Sequence, residues 1–200
     1  MNGFERRAQQ IKDKIKETTL RMLSAGSSKQ IRVADIAKHA GVSQVTIYNY
    51  FGSKEALIRE VFKNYMLATM QDFETFVRGE HSLKEKIEYI IFQKKQTSHS
   101  FHPSVIAELM QEDPEIQNFV KRNYEERSVP MVVELITKCK ENGEISENVS
   151  IETVILYLNM LNDSSHRLLE STRYRDNQEK LIEEMVQVFF YGICGPEPQK

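Results

Sequence analysis

Nowhere in its 200 residues does the chain hold the run of about 18 apolar residues that a membrane-spanning helix requires. Residues 1–10 are charged and lack the apolar stretch of a secretory signal, so a soluble cytoplasmic protein is expected. Cysteine is scarce. Cys139 and Cys194 stand far apart with no ligand spacing around them, which fits a reducing compartment better than a disulfide scaffold. Eight glycines and five prolines are few for this length, and apolar residues recur at three and four rather than at two, so strands are not expected. Internal repeats and low-complexity tracts are missing. So are a glycine-rich phosphate loop, a nucleophile elbow and a convincing acid/base pair, which argues against an enzyme and implies no cofactor. His99 and His102 have i, i+3 spacing, but no carboxylate or cysteine stands beside them and Pro103 sets the backbone. They read as solvated loop residues rather than metal ligands.

A hydrophobic content of 40% is enough for a substantial core, arranged as one domain or as a small head on a larger body. The overall charge of −2 does not suggest a polyanionic partner, but its distribution does. Residues 1–54 carry ten Lys/Arg against four Asp/Glu, a net of +6, and the remainder of the chain is −8. A basic head on an acidic body is what a polyanion-binding module joined to a non-binding one requires, because only the head displaces counterions.

The helical pattern can be followed along the chain. A first helix is expected from Glu5 to Ala25 with Ala8, Ile11, Ile15, Thr18, Thr19 and Met22 on one face. Two short helices follow, Val33 to Ala40 and Gln44 to Phe51. A long one begins after Ser53, a suitable N-cap, and ends at Gly79. Further helices are expected near 83–98, 103–111, 114–142, 151–171 and 178–193. Pro103 and Pro114 stand at first helical positions, where a missing N–H costs nothing. Pro130 lies inside a helical stretch and should kink or divide it.

The stretch Val33 to Phe51 carries the chemistry. In a helix-turn-helix two short helices cross at roughly 90–120° over a tight turn, so the closest approach needs a small residue and the turn needs one that tolerates positive φ. Ala37 and Gly41 supply these. Ile36, Ala40, Val42 and Ile47 fall where both helices face one small core, and Ser43 precedes the second helix as its N-cap. Gln44, Val45, Thr46, Tyr48, Asn49 and Tyr50 are left to point outward, a polar and aromatic set suited to a DNA groove. Gln44 can pair with adenine, and the methyl groups of Val45 and Thr46 can meet thymine; these three are the candidate base readers. Ser43, Tyr48, Tyr50 and Lys54 are the candidate phosphate contacts, Ser43 at a helix N-terminus whose dipole favours anions.

The segment Asp35 to Ile58, DIAKHAGVSQVTIYNYFGSKEALI, resembles the DNA-binding head of the tetracycline-repressor (TetR) family. With the first helix the likeness covers a quarter of the chain. It implies an all-α fold: a three-helix head with a helix-turn-helix at 1–52, a helical effector-binding and dimerisation body at 53–195, and a frayed tail at 196–200. It also implies a homodimer on double-stranded operator DNA, most often a repressor answering a small molecule. Two departures stand out. The family often has Thr where Ile31 and Arg32 stand, and Arg32 can reach phosphate but cannot cap a helix; Tyr50 replaces a frequent His.

For the body only the residue pattern speaks. Apolar stripes at 151–171 and 178–193 make Val154, Ile155, Leu158, Leu161, Ile182, Met185, Val186 and Phe189 candidates for a dimer face, as in a four-helix bundle across a two-fold axis. The same stripes would serve the subunit's own core equally well. An effector pocket needs an apolar lining with a few polar groups. Met66, Met70, Phe73, Tyr89, Phe92, Phe101, Met110, Tyr124, Met131, Tyr157 and Met160 are the candidates for its lining, with Asn159, Asn162 or His166 as polar handles. A DNA-binding protein whose body recruits a protein partner without any effector, or an activator, would present the same pattern.

Overall fold

The computed structural model describes residues 2–25, 28–83, 85–86, 89, 101, 103–157, 159–160, 180–181, 184, 187–188 and 192. All regular structure among them is helical. Helix α1 runs Gly3–Ala25 and is followed by a 3-10 turn at Ser28–Gln30; α2 is Val33–Ala40, α3 Gln44–Phe51 and α4 Lys54–Arg78. After residues 83, 85, 86 and 89, also helical, come α5 at Pro103–Glu112, α6 at Pro114–Asn123 and α7 at Val129–Glu141. Residues 151–157, 159 and 160 are helical, as are 180, 181, 184, 187, 188 and 192. Phe92, Leu158, Leu161, Ile182, Met185, Val186 and Phe189, and with them Asn162, His166, His99 and His102, lie outside the described residues.

Local chemistry sets these boundaries. Ser53 caps α4 by accepting the Ala56 N–H at 3.0 Å. Ser82 and Glu85 form a reciprocal capping box, Glu85 accepting the Ser82 N–H at 2.8 Å and Ser82 the Glu85 N–H at 3.3 Å. The stretch from Pro114 divides, and does so ahead of Pro130. Residues Tyr124–Ser128 form one π-helical turn, closed by a hydrogen bond from the Val129 N–H to the Tyr124 carbonyl. Proline has no N–H to give the carbonyl of residue 126, and its ring crowds that carbonyl; the wider turn before it relieves both problems.

The chain forms two compact units, Met1–Met70 with Gln96–Phe119, and Gln71–Lys95 with Val120–Lys200. In the first, α1 packs on α2 and α2 on α3, around the buried Ile15, Leu23, Ile36, Ala40, Ile47, Leu57 and Ile58. Leu23 takes the innermost place that periodicity had given to Met22, which is half-buried. Phe101 is buried with its ring edge-on to Phe62 and Tyr65, at centroid distances of 5.5 and 5.0 Å. It belongs to this core. Polar ties hold α5 and α6 in the same unit. Ser28 donates its N–H and hydroxyl to Glu108, Lys29 donates to Glu112, and Arg59 pairs with Asp113 at 2.9 Å and Glu115 at 2.7 Å.

The second unit is built on Val77, Leu83, Met131, Leu135, Ile136, Cys139, Ile145 and Val154, all buried. Arg127 clamps Glu74 with two hydrogen bonds of 3.0 Å, which hold that carboxyl below its ordinary range. Phe76 is sandwiched between His81 and Tyr89, with centroids 4.0 and 3.9 Å away.

Asp113 gives the first unit a pH dependence. Its Oδ1 caps α6 by accepting the Glu115 and Ile116 N–H groups at 2.9 and 3.1 Å, while Oδ2 accepts from Arg59. Burial pushes this carboxyl up, but the Arg59 guanidinium and the two N–H groups together pull it further down, below its ordinary 3.8. A depressed folded-state value means stability that is present above pH 3.8 and is lost as pH falls through the lowered value. Asp113→Asn is expected to cost about 1.5 kcal/mol at neutral pH and to flatten the acid limb of a plot of melting temperature against pH. An unchanged acid limb would show that the Arg59 pairing contributes nothing.

Candidate nucleic-acid interface

The turn between α2 and α3 is made by its residue types. Gly41 stands at φ +64°, a conformation that costs a residue with a Cβ about 1–2 kcal/mol. The Val42 N–H bonds back to the Ala37 carbonyl at 3.0 Å, closing α2. The chain then extends through Ser43, whose Oγ accepts the Thr46 N–H at 3.0 Å and lies 2.9 Å from the Thr46 hydroxyl. That cap fixes where α3 starts and which way it turns.

Ile47 and Phe51 are buried beneath α3. On its other side Gln44, Val45, Tyr48 and Asn49 are exposed, Val45 at 66% and Tyr48 at 47%. A valine left so open at the start of a helix, among polar and aromatic neighbours, has no packing role in the protomer. The helix therefore offers hydrogen-bonding and methyl groups, without formal charge, on one free face.

The remaining sequence candidates are placed less simply. Thr46 is half-buried, its hydroxyl turned to Ser43. Tyr50 is half-buried too, with the Lys12 ammonium 5.4 Å over its ring and Phe51 edge-on, so that its ring braces α1 as well as facing outward. Arg32 is exposed at the N-cap position of α2 and makes no side-chain cap. Lys54 reaches the Ser28 and Ile31 carbonyls at 3.4 and 3.3 Å, so it braces the turn before α2 instead of standing free. Gly52, at φ +77°, turns the chain from α3 into α4.

Sequence reasoning missed the contributions of Lys12 and of Glu108 and Glu112. A signal for the latter existed: four acids crowd into 108–115 opposite a basic head, and Glu108 and Glu112 are one helical turn apart.

Residues 15–61 match the family model described as bacterial regulatory proteins, tetR family. The head of the chain is a TetR-family DNA-binding domain. The chain is 24% identical over 187 residues to the HTH-type transcriptional regulator EthR of Mycolicibacterium smegmatis, covering 90% of this chain and 85% of that one. It is 26% identical over 141 residues to the fatty acid metabolism regulator protein of Bacillus subtilis, covering 68% and 71%. Its fold is similar to that of FadR from Bacillus subtilis, solved in complex with stearoyl-CoA, at a TM-score of 0.62 and 20% identity over 90% of this chain and 98% of that one. The chain is thus an all-α DNA-binding transcriptional regulator with its helix-turn-helix near the N-terminus. No helix among the described residues is long and apolar enough to cross a membrane.

The body candidates of this regulator divide between the two units. Met66, Met70 and Met110 are half-buried in the first; Phe73, Tyr89, Tyr124 and Tyr157 are half-buried in the second. Met131 is buried in the second core. Met160 is 57% exposed. The Tyr124 hydroxyl donates to the Asn159 side chain. Of the dimer-face candidates, Val154 is buried against its own subunit and Ile155 is half-buried. Among the described residues, the exposed apolar ones on that helix are Leu156 and Met160, one turn apart.

Proposed function

We propose that this regulator is a cytoplasmic repressor that holds operator DNA as a homodimer and lets go when a small apolar or amphipathic ligand binds its helical body. The single observation that carries the DNA half is the free face of α3, with Val45 exposed at its centre and Ile47 buried behind it. In this reading residues 1–52 are the DNA-binding domain and 53–195 the effector and dimer domain. Gln44, Val45 and Thr46 meet base edges, while Arg32, Ser43, Tyr48, Tyr50 and Lys54 set the head on phosphates. Two such heads read successive major grooves when they stand about 34 Å apart.

Exposed apolar surface at Leu156, which is 61% open, at Met160 and at Val188 supports a partner subunit, which would take such residues out of water. Support for the ligand half comes from the stearoyl-CoA held by the similarly folded Bacillus subtilis FadR and from the fatty acid metabolism regulator of the same organism. A ligand releases DNA only by binding the released state more tightly than the bound one.

The test is an electrophoretic shift of the DNA flanking the gene, with stearoyl-CoA as first probe. Binding at nanomolar to micromolar protein, steeply weakened by salt and confined to a palindrome, is the expected result. DNA binding of that kind which no amphiphile alters would retire the ligand half and leave the DNA half standing.

A further inference from the structure

Helix α3 carries no formal charge, so the attraction of the head for a polyanion has to come from around it. Residues 1–54 hold ten Lys/Arg, but several are engaged within the protein. Lys16 pairs with Asp13 at 3.1 Å and with Glu60 at 3.7 Å, Lys29 pairs with Glu112, and Lys54 donates to the Ser28 and Ile31 carbonyls. Arg59 and Lys63, further along in α4, are held by Asp113 and Glu115.

Two cations of α1 are placed differently. The Lys14 side chain is exposed and makes no hydrogen bond or ion pair among the described residues. Its ammonium crosses to the turn between α2 and α3, 3.4 Å from the point where a Cβ on Gly41 would stand. Lys12 reaches the other end of α3, with its ammonium 5.4 Å over the Tyr50 ring and no carboxylate paired with it among the described residues. Asp13, between the two in sequence, turns instead to Lys16 and accepts from the Gln9 amide at 2.8 Å. Helix α1 thus brings an unneutralised ammonium to each end of α3.

We propose that Lys12 and Lys14 are phosphate contacts, so that α1 is a second DNA-facing element whose two ammonium groups hold the backbone on either side of the groove that α3 enters. This rests on the reading of α3 as the helix in the groove and adds contacts from a helix outside the helix-turn-helix. The dimensions agree. Eight helical residues span about 12 Å, and the walls of a major groove stand about 12 Å apart. Repulsion among unneutralised cations around α3 is relieved when phosphates approach, and the counterions released from the DNA drive the contact. Such contacts position the head and carry no base information.

The test is the salt dependence of DNA binding by the full-length protein, followed by fluorescence anisotropy between about 50 and 200 mM salt. Two duplexes of equal length are used, the palindrome from the DNA flanking the gene and a random sequence. Each phosphate contact contributes about 0.9 to the slope of log affinity against log salt concentration, and a dimer holds two copies of each lysine. Lys14→Ala and Lys12→Ala are each expected to lower that slope by about 1.8 and to weaken both duplexes alike by roughly tenfold to a hundredfold, with melting temperatures near that of wild type. The double variant should lower the slope by about 3.6, and Lys14→Arg should keep it. Lys63→Ala, whose charge Glu115 already neutralises, should leave the slope as it is. A fall for Lys63→Ala equal to that for Lys14→Ala would show that net charge alone is felt and would overturn the contacts. Weakening by Lys12→Ala confined to the palindrome, at an unchanged slope, would make Lys12 a brace for the Tyr50 ring and overturn its phosphate role. Unchanged slopes for both lysine variants, while Val45→Glu still abolishes binding to the palindrome, would overturn the α1 contacts and leave α3 in the groove. Unchanged binding by all three variants would overturn both.

Discussion

Val45→Glu is expected to abolish operator binding and leave the fold as it was. Val45 is 66% exposed at the second position of α3, and no core contact depends on it. A carboxylate in the first turn of a helix is favoured by the helix dipole, and a substitution so exposed changes stability by no more than about 0.5 kcal/mol. On DNA the sign reverses. The new charge would enter a groove walled by phosphates, and the methyl groups available to thymine would be gone. Losing one such base contact costs about 1–3 kcal/mol, and a dimer loses it in both half-sites before repulsion is counted. A fall of at least roughly a hundredfold in operator affinity follows. Fluorescence anisotropy on a labelled operator measures it, with a thermal melt as control. Retained affinity would mean that α3 is not the helix in the groove.

That the head can be read without coordinates follows from how local its determinants are. Gly41 is needed for a turn made three residues from Lys38, Ser43 caps a helix that begins at the next residue, and Ser53 does the same for α4. Each signal and its consequence lie within one helical turn, so composition and spacing contain both. What joins α5 to the head does not have that form. Ser28 and Glu108 are 80 residues apart, and a hydrogen bond over that separation leaves no periodic trace in either segment. Lys54 illustrates the same limit: its position marks it as a cation near the groove, but only folding brings it to the Ser28 and Ile31 carbonyls.

In the body, periodicity finds a buried stripe without saying what buries it. Val154 and Leu156 are two residues apart, yet one sits in its own subunit's core and the other faces out. Side-chain bulk does not say where a residue will stand. Phe101 and Met131 fill cores and Met160 stands in the open, although all three satisfy the same criterion of size and adaptability. Pro130 shows a partial success: its disruption of the helix is legible, but the π turn that absorbs the disruption forms upstream, at Tyr124–Ser128, where hydrogen bonding can be rearranged.

Ile47→Ala should do the opposite of Val45→Glu, lowering stability first and DNA binding only in consequence. Ile47 is fully buried on the underside of α3, where α3 meets α2, and it belongs to the same helix whose outer face is free. Removing most of its side chain leaves a cavity that short, tightly crossed helices cannot close, at a cost of about 2–5 kcal/mol. For a protein whose whole stability is roughly 5–15 kcal/mol this is a large fraction. The melting temperature should fall by roughly 10 °C or more, and hydrogen exchange at α3 amides should accelerate. Ile47→Val, which keeps most of the volume, should cost only about 0.5–1.5 kcal/mol. Operator affinity of Ile47→Ala should recover on cooling to the temperature of greatest stability, because its outer face is intact, whereas that of Val45→Glu should not. If Ile47→Ala melts like wild type, α3 is not held by the core beneath it, and the exposure of its outer face loses its meaning as a docking surface.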